Sequence, residues 1–201
     1  MADQEELTNE SSSKEIFNDD SERKQKIVDL RMEGNHQFKL GNYEEAIQFY
    51  LNGLDLCTKP DDDQQTMVIL YSNLAAAKDH LQRYDEAIEY CDKALAINDS
   101  HSKAIIRRAQ LYRKCDKLDE SMADYKRFVE LNPDDKSVLP IVQELQCQID
   151  ERNEKLKAEM LTKLKDLGNV VLKPFGLSTD NFKLEKNPET GGYSVNFQQN
   201  K

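Results

Sequence analysis

Apolar residues along this chain recur at helical spacing in three segments that share one order of small and large side chains. Residues 103–133 align with residues 69–99 at an offset of 34. In each segment a small residue is followed by a large apolar one, a second small one, a mostly aromatic one and a closing aliphatic one. These positions are Gly34, Ala75 and Ala109; Tyr43, Tyr84 and Leu118; Ala46, Ala87 and Ser121; Tyr50, Cys91 and Tyr125; and Leu56, Ile97 and Leu131. The pattern predicts a helix–turn–helix unit that is repeated three times.

The helices of these units can be placed from the same periodicity. They are predicted near residues 22–40 and 43–56, 66–82 and 84–97, and 101–115 and 118–131. The first is expected to begin near Ser21 or Glu22. Residues 58–65 are inserted after the first unit, and they either lengthen a loop or extend the next helix by two turns. Because such units cannot bury their apolar faces alone, they are expected to stack and to present a concave groove for binding.

A long amphipathic segment over residues 137–167 follows the third unit. Ser137 is a candidate N-cap, and Pro140 falls in the first turn, where its missing N–H costs least. The apolar residues recur at intervals near 3.6 and are Leu139, Val142, Leu145, Ile149, Leu156, Met160, Leu164 and Leu167. This segment is predicted to cap the repeats. Its later half exceeds what capping requires, so it either projects, folds back or pairs in a coiled coil.

The end of the chain changes from helical to alternating spacing. Pro174 and Gly176 break an apolar stretch, and residues 182–184 and 193–197 then alternate apolar with polar side chains around the turn sequence NPETGG. This pattern predicts a β-hairpin. Because an isolated hairpin is marginally stable in water, we expect it to dock on the long helix or on a partner.

Charge is distributed unevenly along the chain. The net charge is −10, but residues 1–22 hold eight acids and one lysine, which leaves only −3 for the rest. The acidic segment is predicted to be a disordered tail that aids solubility or competes for a basic groove. The predicted fold is therefore all-α, with these parts: a disordered acidic tail (1–21), three repeats (22–135, as about 27–60, 68–101 and 102–135), a long capping helix (136–173) and a hairpin-like tail (174–201).

Composition excludes several classes of function. No apolar run reaches the 18 or so residues that span a bilayer, the start lacks the features of a secretory signal, and no basic excess favours nucleic acid. The four cysteines form no CxxC pair and the three histidines are scattered, so we expect reduced thiols, a cytoplasmic location, no metal and no cofactor. Since no nucleophile elbow, phosphate-binding loop or paired metal motif is present, the chain is not expected to be an enzyme.

Five polar residues on the first helices of the three units form a candidate binding set. Arg31 and Asn35 are i,i+4 neighbours, as are Lys103 and Arg107, and Asn73 lies on the corresponding helix of the second unit. Residues at this spacing project from one helix face. Such residues also occur on helix faces that are merely solvated. The set can therefore be interpreted either as a binding site or as a solvated surface.

The units resemble tetratricopeptide repeats, and the sequences RMEGN, YSN and KAIIR resemble the dicarboxylate clamp of the chaperone-binding members of that family. The resemblance implies that Lys103 and Arg107 take the aspartate side chain of an EEVD tail, while Arg31, Asn35 and Asn73 hold its main-chain carboxylate. Those tails end the seventy- and ninety-kilodalton heat-shock chaperones. Arg31 stands where the family usually has Lys. Phe38 and Ala76 would line an apolar pocket for the valine.

The C-terminal sequence KLKDLGNVVLKPFGLSTDNFK, followed by NPETGGYSVNF, is similar to the C-terminal region of small three-repeat adaptors of this family. That likeness implies a cytosolic, non-enzymatic cochaperone that also engages GTP-binding signalling proteins. The alternative is a signalling scaffold that binds GTP-binding proteins without requiring a free C-terminal carboxylate on its ligand.

Overall fold

The computed structural model describes residues 3–57, 64–186 and 193–198 of the 201-residue chain. Over this part of the chain the predicted helical pairs are present. Their bounds are α1 Asp3–Leu40, α2 Tyr43–Asp55, α3 Gln64–His80, α4 Tyr84–Ile97, α5 Ser102–Lys114 and α6 Leu118–Leu131, followed by α7 Leu139–Leu172 and the strands β1 Phe182–Lys186 and β2 Tyr193–Phe197. The prediction of an all-α repeat fold with one small hairpin is confirmed.

Two helix starts differ from the predictions. Helix α1 begins at Asp3 rather than near Ser21 or Glu22, so the backbone is helical where a disordered tail was predicted. The segment before Gly34 contains neither Gly nor Pro, the two residues least favourable inside a helix. Helix α7 begins at Leu139, so Val138 and not Ser137 occupies the N-cap position. The N–H of Ser137 donates to the Asp135 carboxylate at 2.9 Å. Of the inserted segment, residues 64 and 65 belong to α3, and 58–63 lie outside the described residues.

The turn inside each repeat uses the same backbone geometry. Gly41, Gln82 and Asp116 follow the first helix of their units with φ of 85°, 59° and 59°. The next residue donates its N–H to a carbonyl five residues earlier in all three turns. This is the Schellman arrangement, which satisfies the last carbonyls of a helix and favours Gly at the left-handed position. Glycine occupies only the first of the three turns.

The core lies between the helices of each unit and between neighbouring units. One cluster joins α1, α2 and α3 through buried residues that include Ile27, Tyr50 and Leu74. A second joins α3, α4 and α5 through Ala75, Cys91 and Leu111. The small residues at the repeat positions permit this approach. A Cβ atom at Gly34 would lie 2.5 Å from Cε1 of Tyr50, so the first unit requires glycine there.

The chain divides into two compact units, residues 1–146 and 147–201. In the first unit, Leu145 on α7 is fully buried and Glu144 forms an ion pair with Arg113 of α5, which agrees with the predicted capping role for the start of α7. In the second unit, the N–H and Oγ1 of Thr179 donate to Oδ1 of Asn169 at 2.6 and 2.9 Å. These bonds tie the end of α7 to the segment before the hairpin. The two strands pair antiparallel, and their connection lies outside the described residues.

Candidate functional site

The five predicted polar residues lie on the first helix of each repeat unit. Arg31 and Asn35 are on α1, Asn73 is on α3, and Lys103 and Arg107 are on α5. Helix α3 contacts both α1 and α5, so the residues belong to one contiguous set of helices. Lys103 is exposed, and the other four are half-buried. Partly buried polar groups of this kind exchange solvent for a ligand at less desolvation cost than fully exposed ones.

The structure joins two members of this set directly. Nδ2 of Asn73 donates to Oδ1 of Asn35 at 3.0 Å, and the same oxygen accepts from Oη of Tyr50 at 2.9 Å. Both lone pairs of Oδ1 are thereby used. The Asn35 amide is fixed in the orientation that leaves its NH₂ group as the part available to a ligand. Among the described residues, none of the other pairs within the five are hydrogen-bonded to each other.

Tyr50, which the sequence pattern assigned only to packing, holds a member of the candidate set through this hydrogen bond. It is 1% exposed, and burial raises the pKa of its hydroxyl to about 12, so it remains a neutral donor at physiological pH. The sequence held a signal for this role in Gly34, which precedes Asn35 and leaves the space that the Tyr50 ring fills.

Along the part of the chain that the structure describes, the three cations of the set have no carboxylate partner. No carboxylate oxygen there lies within 4 Å of a side-chain nitrogen of Arg31, Lys103 or Arg107. The remaining cations of α5 are paired: Arg108 with Asp92 and Asp124, Arg113 with Glu144, and Lys114 with Asp79. The contrast within a single helix indicates that positive charge is kept available on the face that carries Lys103 and Arg107.

Both arginines of the set also contain an unsatisfied donor. The Nε atoms of Arg31 and Arg107 are buried and lack an acceptor among the described residues. A buried donor without a partner costs free energy. An anionic ligand that draws either guanidinium into a new rotamer would relieve that cost.

Arg108, the neighbour of Arg107 in the sequence, has a structural role. Its Nε and Nη2 donate to the two oxygens of Asp124, each at 2.7 Å, and Nη1 donates to Asp92 at 2.6 Å. Asp124 is only 5% exposed. The hydrogen bonds with Asp124, and then those with Asp92, raise the pKa of Arg108 above its ordinary value. The fork holds α4, α5 and α6 together.

The predicted apolar pair lies near the same helices. Ala76 on α3 is 7% exposed, and the half-buried Phe38 on α1 meets His80 and Tyr43 edge-on, with ring centroids 5.2 and 5.3 Å away. His80 stacks on Tyr43 at 4.5 Å. His80 was not predicted, although it follows Ala76 by four residues and so shares its helix face.

The described ranges contain no group of three or more His, Cys, Asp or Glu side chains placed to hold a metal ion. None of the helices there is both long and apolar enough to cross a bilayer. None of the four cysteines, all of which lie within the described ranges, forms a disulfide.

Models of the tetratricopeptide repeat match residues 30–100 and 102–135. Sperm-associated antigen 1 of Mus musculus is 32% identical over 130 residues, which is 65% of this chain but 13% of that protein. The chain therefore spans only a small part of that relative.

Two solved structures are similar at higher coverage of the matched chain. The first tetratricopeptide domain of Spaghetti (RPAP3), bound to the HSP90 peptide SRMEEVD, has a TM-score of 0.56 and 32% identity and covers 63% of this chain and 94% of its own. The second such domain of human RPAP3, in complex with the HSP70 peptide SGPTIEEVD, has a TM-score of 0.53 and 27% identity and covers 62% and 98%.

Proposed function

Since this chain belongs to the tetratricopeptide repeat family, we propose that it is a non-enzymatic adaptor whose repeat groove binds the C-terminal carboxylates of heat-shock chaperones. The ligand would be an EEVD-type tail of the seventy- or ninety-kilodalton chaperones. We further propose that this chain is a cochaperone of the small three-repeat type and that it acts in the cytoplasm.

The observation that carries this proposal is the presence, on adjacent first helices, of two asparagines and three cations that have no carboxylate partner among the described residues. A C-terminal aspartate presents two carboxylates within one residue, and several donors are needed to satisfy them. Lys103 and Arg107 would bind the side-chain carboxylate. Arg31 and the amides of Asn35 and Asn73 would bind the terminal one. Arg31 offers a planar two-donor fork where Lys would offer a point charge, which suits a carboxylate.

The ligands of two similar structures support the choice of tail. Those domains are bound to HSP90 and HSP70 peptides that both end in EEVD. The penultimate valine of such a tail would contact Phe38 and Ala76, with His80 as a further wall. Each charge-assisted hydrogen bond contributes about 1.5–3 kcal/mol, and ordering a flexible tail offsets much of that. A net of about −7 to −8 kcal/mol, corresponding to micromolar affinity, is expected.

The first test compares two lysines of similar exposure. Lys103→Ala removes a predicted ligand contact from α5, whereas Lys126→Ala removes an exposed charge from α6, so both variants change the net charge equally. We expect Lys103→Ala to weaken binding of a labelled EEVD peptide about tenfold in fluorescence anisotropy, and Lys126→Ala to leave it unchanged. An equal loss of EEVD-peptide affinity in the two variants would contradict the proposal, because it would indicate nonspecific attraction between the peptide and the positive charges of the chain.

The alternative function, a signalling scaffold, differs from this proposal in the ligand that it requires. A scaffold that binds GTP-binding proteins without a free carboxylate would bind them equally well after Lys103→Ala. If the variant loses the EEVD peptide but still binds such a protein, the second activity uses another surface.

A further inference from the structure

The later half of α7 exposes an apolar stripe that the rest of the described chain does not cover. Leu156, Met160, Leu164, Leu167 and Val171 follow one another at intervals of three or four residues and so share one helix face. Met160, Leu164 and Leu167 are 71%, 65% and 63% exposed. From Leu156 to Val171 the stripe is about 22 Å long at 1.5 Å per residue. Contiguous apolar surface of this kind marks an interaction site more often than scattered exposed residues do.

Lysines flank the stripe. Lys157 and Lys163 border the groove that runs along this face from Asn153 to Leu167. Over residues 155–173 the chain carries five lysines against Glu159 and Asp166, whereas the whole chain has a net charge of −10. Lys157 lies 3.4 Å from Glu154, but both side chains of this pair are at least two-thirds exposed, so the pair contributes little. The stripe is therefore a locally basic, apolar surface on an acidic protein.

We propose that this face of α7 docks an amphipathic helix of a partner protein, one whose apolar stripe is bordered by Asp and Glu. Leucines and Met160 would interdigitate with the partner's apolar side chains as helix–helix packing requires. Lys157 and Lys163 would face the partner's acids across the edges of the interface. Charge at an interface edge chiefly sets which partner is accepted and how fast it associates.

Two other occupants of this face, a second copy of the chain and a lipid bilayer, are disfavoured by charge. In a parallel pair of copies each lysine would face itself. In an antiparallel pair centred on Met160, Lys157 of one copy would face Lys163 of the other. Like charges at such positions disfavour pairing. A bilayer with anionic lipids would attract the lysines but repel a chain of net charge −10, and the chain has no Trp to anchor it at the interface.

The test uses the full chain and two synthetic 21-residue helices with the same leucine stripe, one flanked by Glu and one by Lys. We expect the Glu-flanked peptide to bind at least about tenfold more tightly than the Lys-flanked one in anisotropy, with the preference shrinking as salt is raised. Leu164→Glu should abolish this binding. The matched variant Leu40→Glu changes a leucine of similar exposure on α1 and should leave it intact. Lys157→Glu combined with Lys163→Glu should reverse the preference between the peptides.

Equal binding of the two peptides, or binding of neither, would overturn the proposal. Self-association that Leu164→Glu removes would identify a second copy as the occupant. Binding to phosphatidylserine vesicles with no binding to either peptide would identify a membrane. Circular dichroism and EEVD-peptide binding, measured on every variant, report folding and the repeat groove separately, so failure of the chaperone proposal does not decide this one.

Discussion

Adjacent arginines on α5 meet different surroundings because consecutive residues of a helix project about 100° apart. Arg108 is held by two carboxylates, one of them on the buried Asp124. Arg107 has no such partner among the described residues and stays available to a ligand. The residue type is the same, so the role is set by what each side chain meets.

Replacing each arginine with alanine should therefore have separable effects. Arg108→Ala leaves Asp124 buried without its partner, and breaking a buried pair costs about 3 kcal/mol or more, so we expect the free energy of unfolding in urea to fall by about that amount. Arg107→Ala should leave stability nearly unchanged and weaken EEVD-peptide binding. A stable Arg108→Ala protein would mean that the fork contributes little to the fold.

The Tyr50 hydroxyl gives a sharper test of amide orientation. In Tyr50→Phe, Oδ1 of Asn35 keeps only the bond from Asn73, so the amide can turn its oxygen toward an incoming carboxylate. We expect EEVD-peptide affinity to fall about tenfold, equivalent to about 1.4 kcal/mol, with little change in the melting temperature. Tyr125→Phe alters the equivalent residue of the third unit and should not affect binding. Unchanged affinity in Tyr50→Phe would show that Asn35 does not depend on this hydrogen bond.

Helices in this chain were predictable where repeat positions recur. The predicted bounds of α4 and α6 agree with the structure at both ends, since small and aromatic residues fix where each helix packs. The start of α1 was not predictable in this way, because no repeat position precedes Ser21 and the prediction depended on composition alone. The start of α7 lies at Leu139 rather than directly after Ser137, which Asp135 holds in the preceding turn.

The turns between paired helices offer a test at the same scale. Gln82 holds a φ of 59°, a left-handed conformation that costs a residue with a Cβ about 1–2 kcal/mol, part of which glycine recovers at the expense of chain entropy. Gln82→Gly should raise the free energy of unfolding by about 0.5–1 kcal/mol. Gln82→Ala keeps the Cβ and should give no such gain. A lower melting temperature for Gln82→Gly than for Gln82→Ala would contradict this account of the turn.

At the scale of the whole molecule, the basic side chains of the first repeat helices and those of the later half of α7 lie in different compact units. Spacing along the sequence predicted that the five candidate residues lie on the first helices of their units, as they do, and their part in binding a ligand stays a prediction. The contacts of Tyr50 and His80 could not be predicted in that way. They are made between helices, and the spacing within one helix does not contain them.

Binding of a free C-terminal carboxylate in the repeat groove can be measured with two labelled peptides, one ending in EEVD and one identical but amidated at its C-terminus, both titrated with the full chain. We expect micromolar binding of the acid and a loss of at least about thirtyfold for the amide, since the amide removes the charge that Arg31, Asn35 and Asn73 would hold. Equal affinity for the two peptides, or no binding of either, would contradict the proposed function.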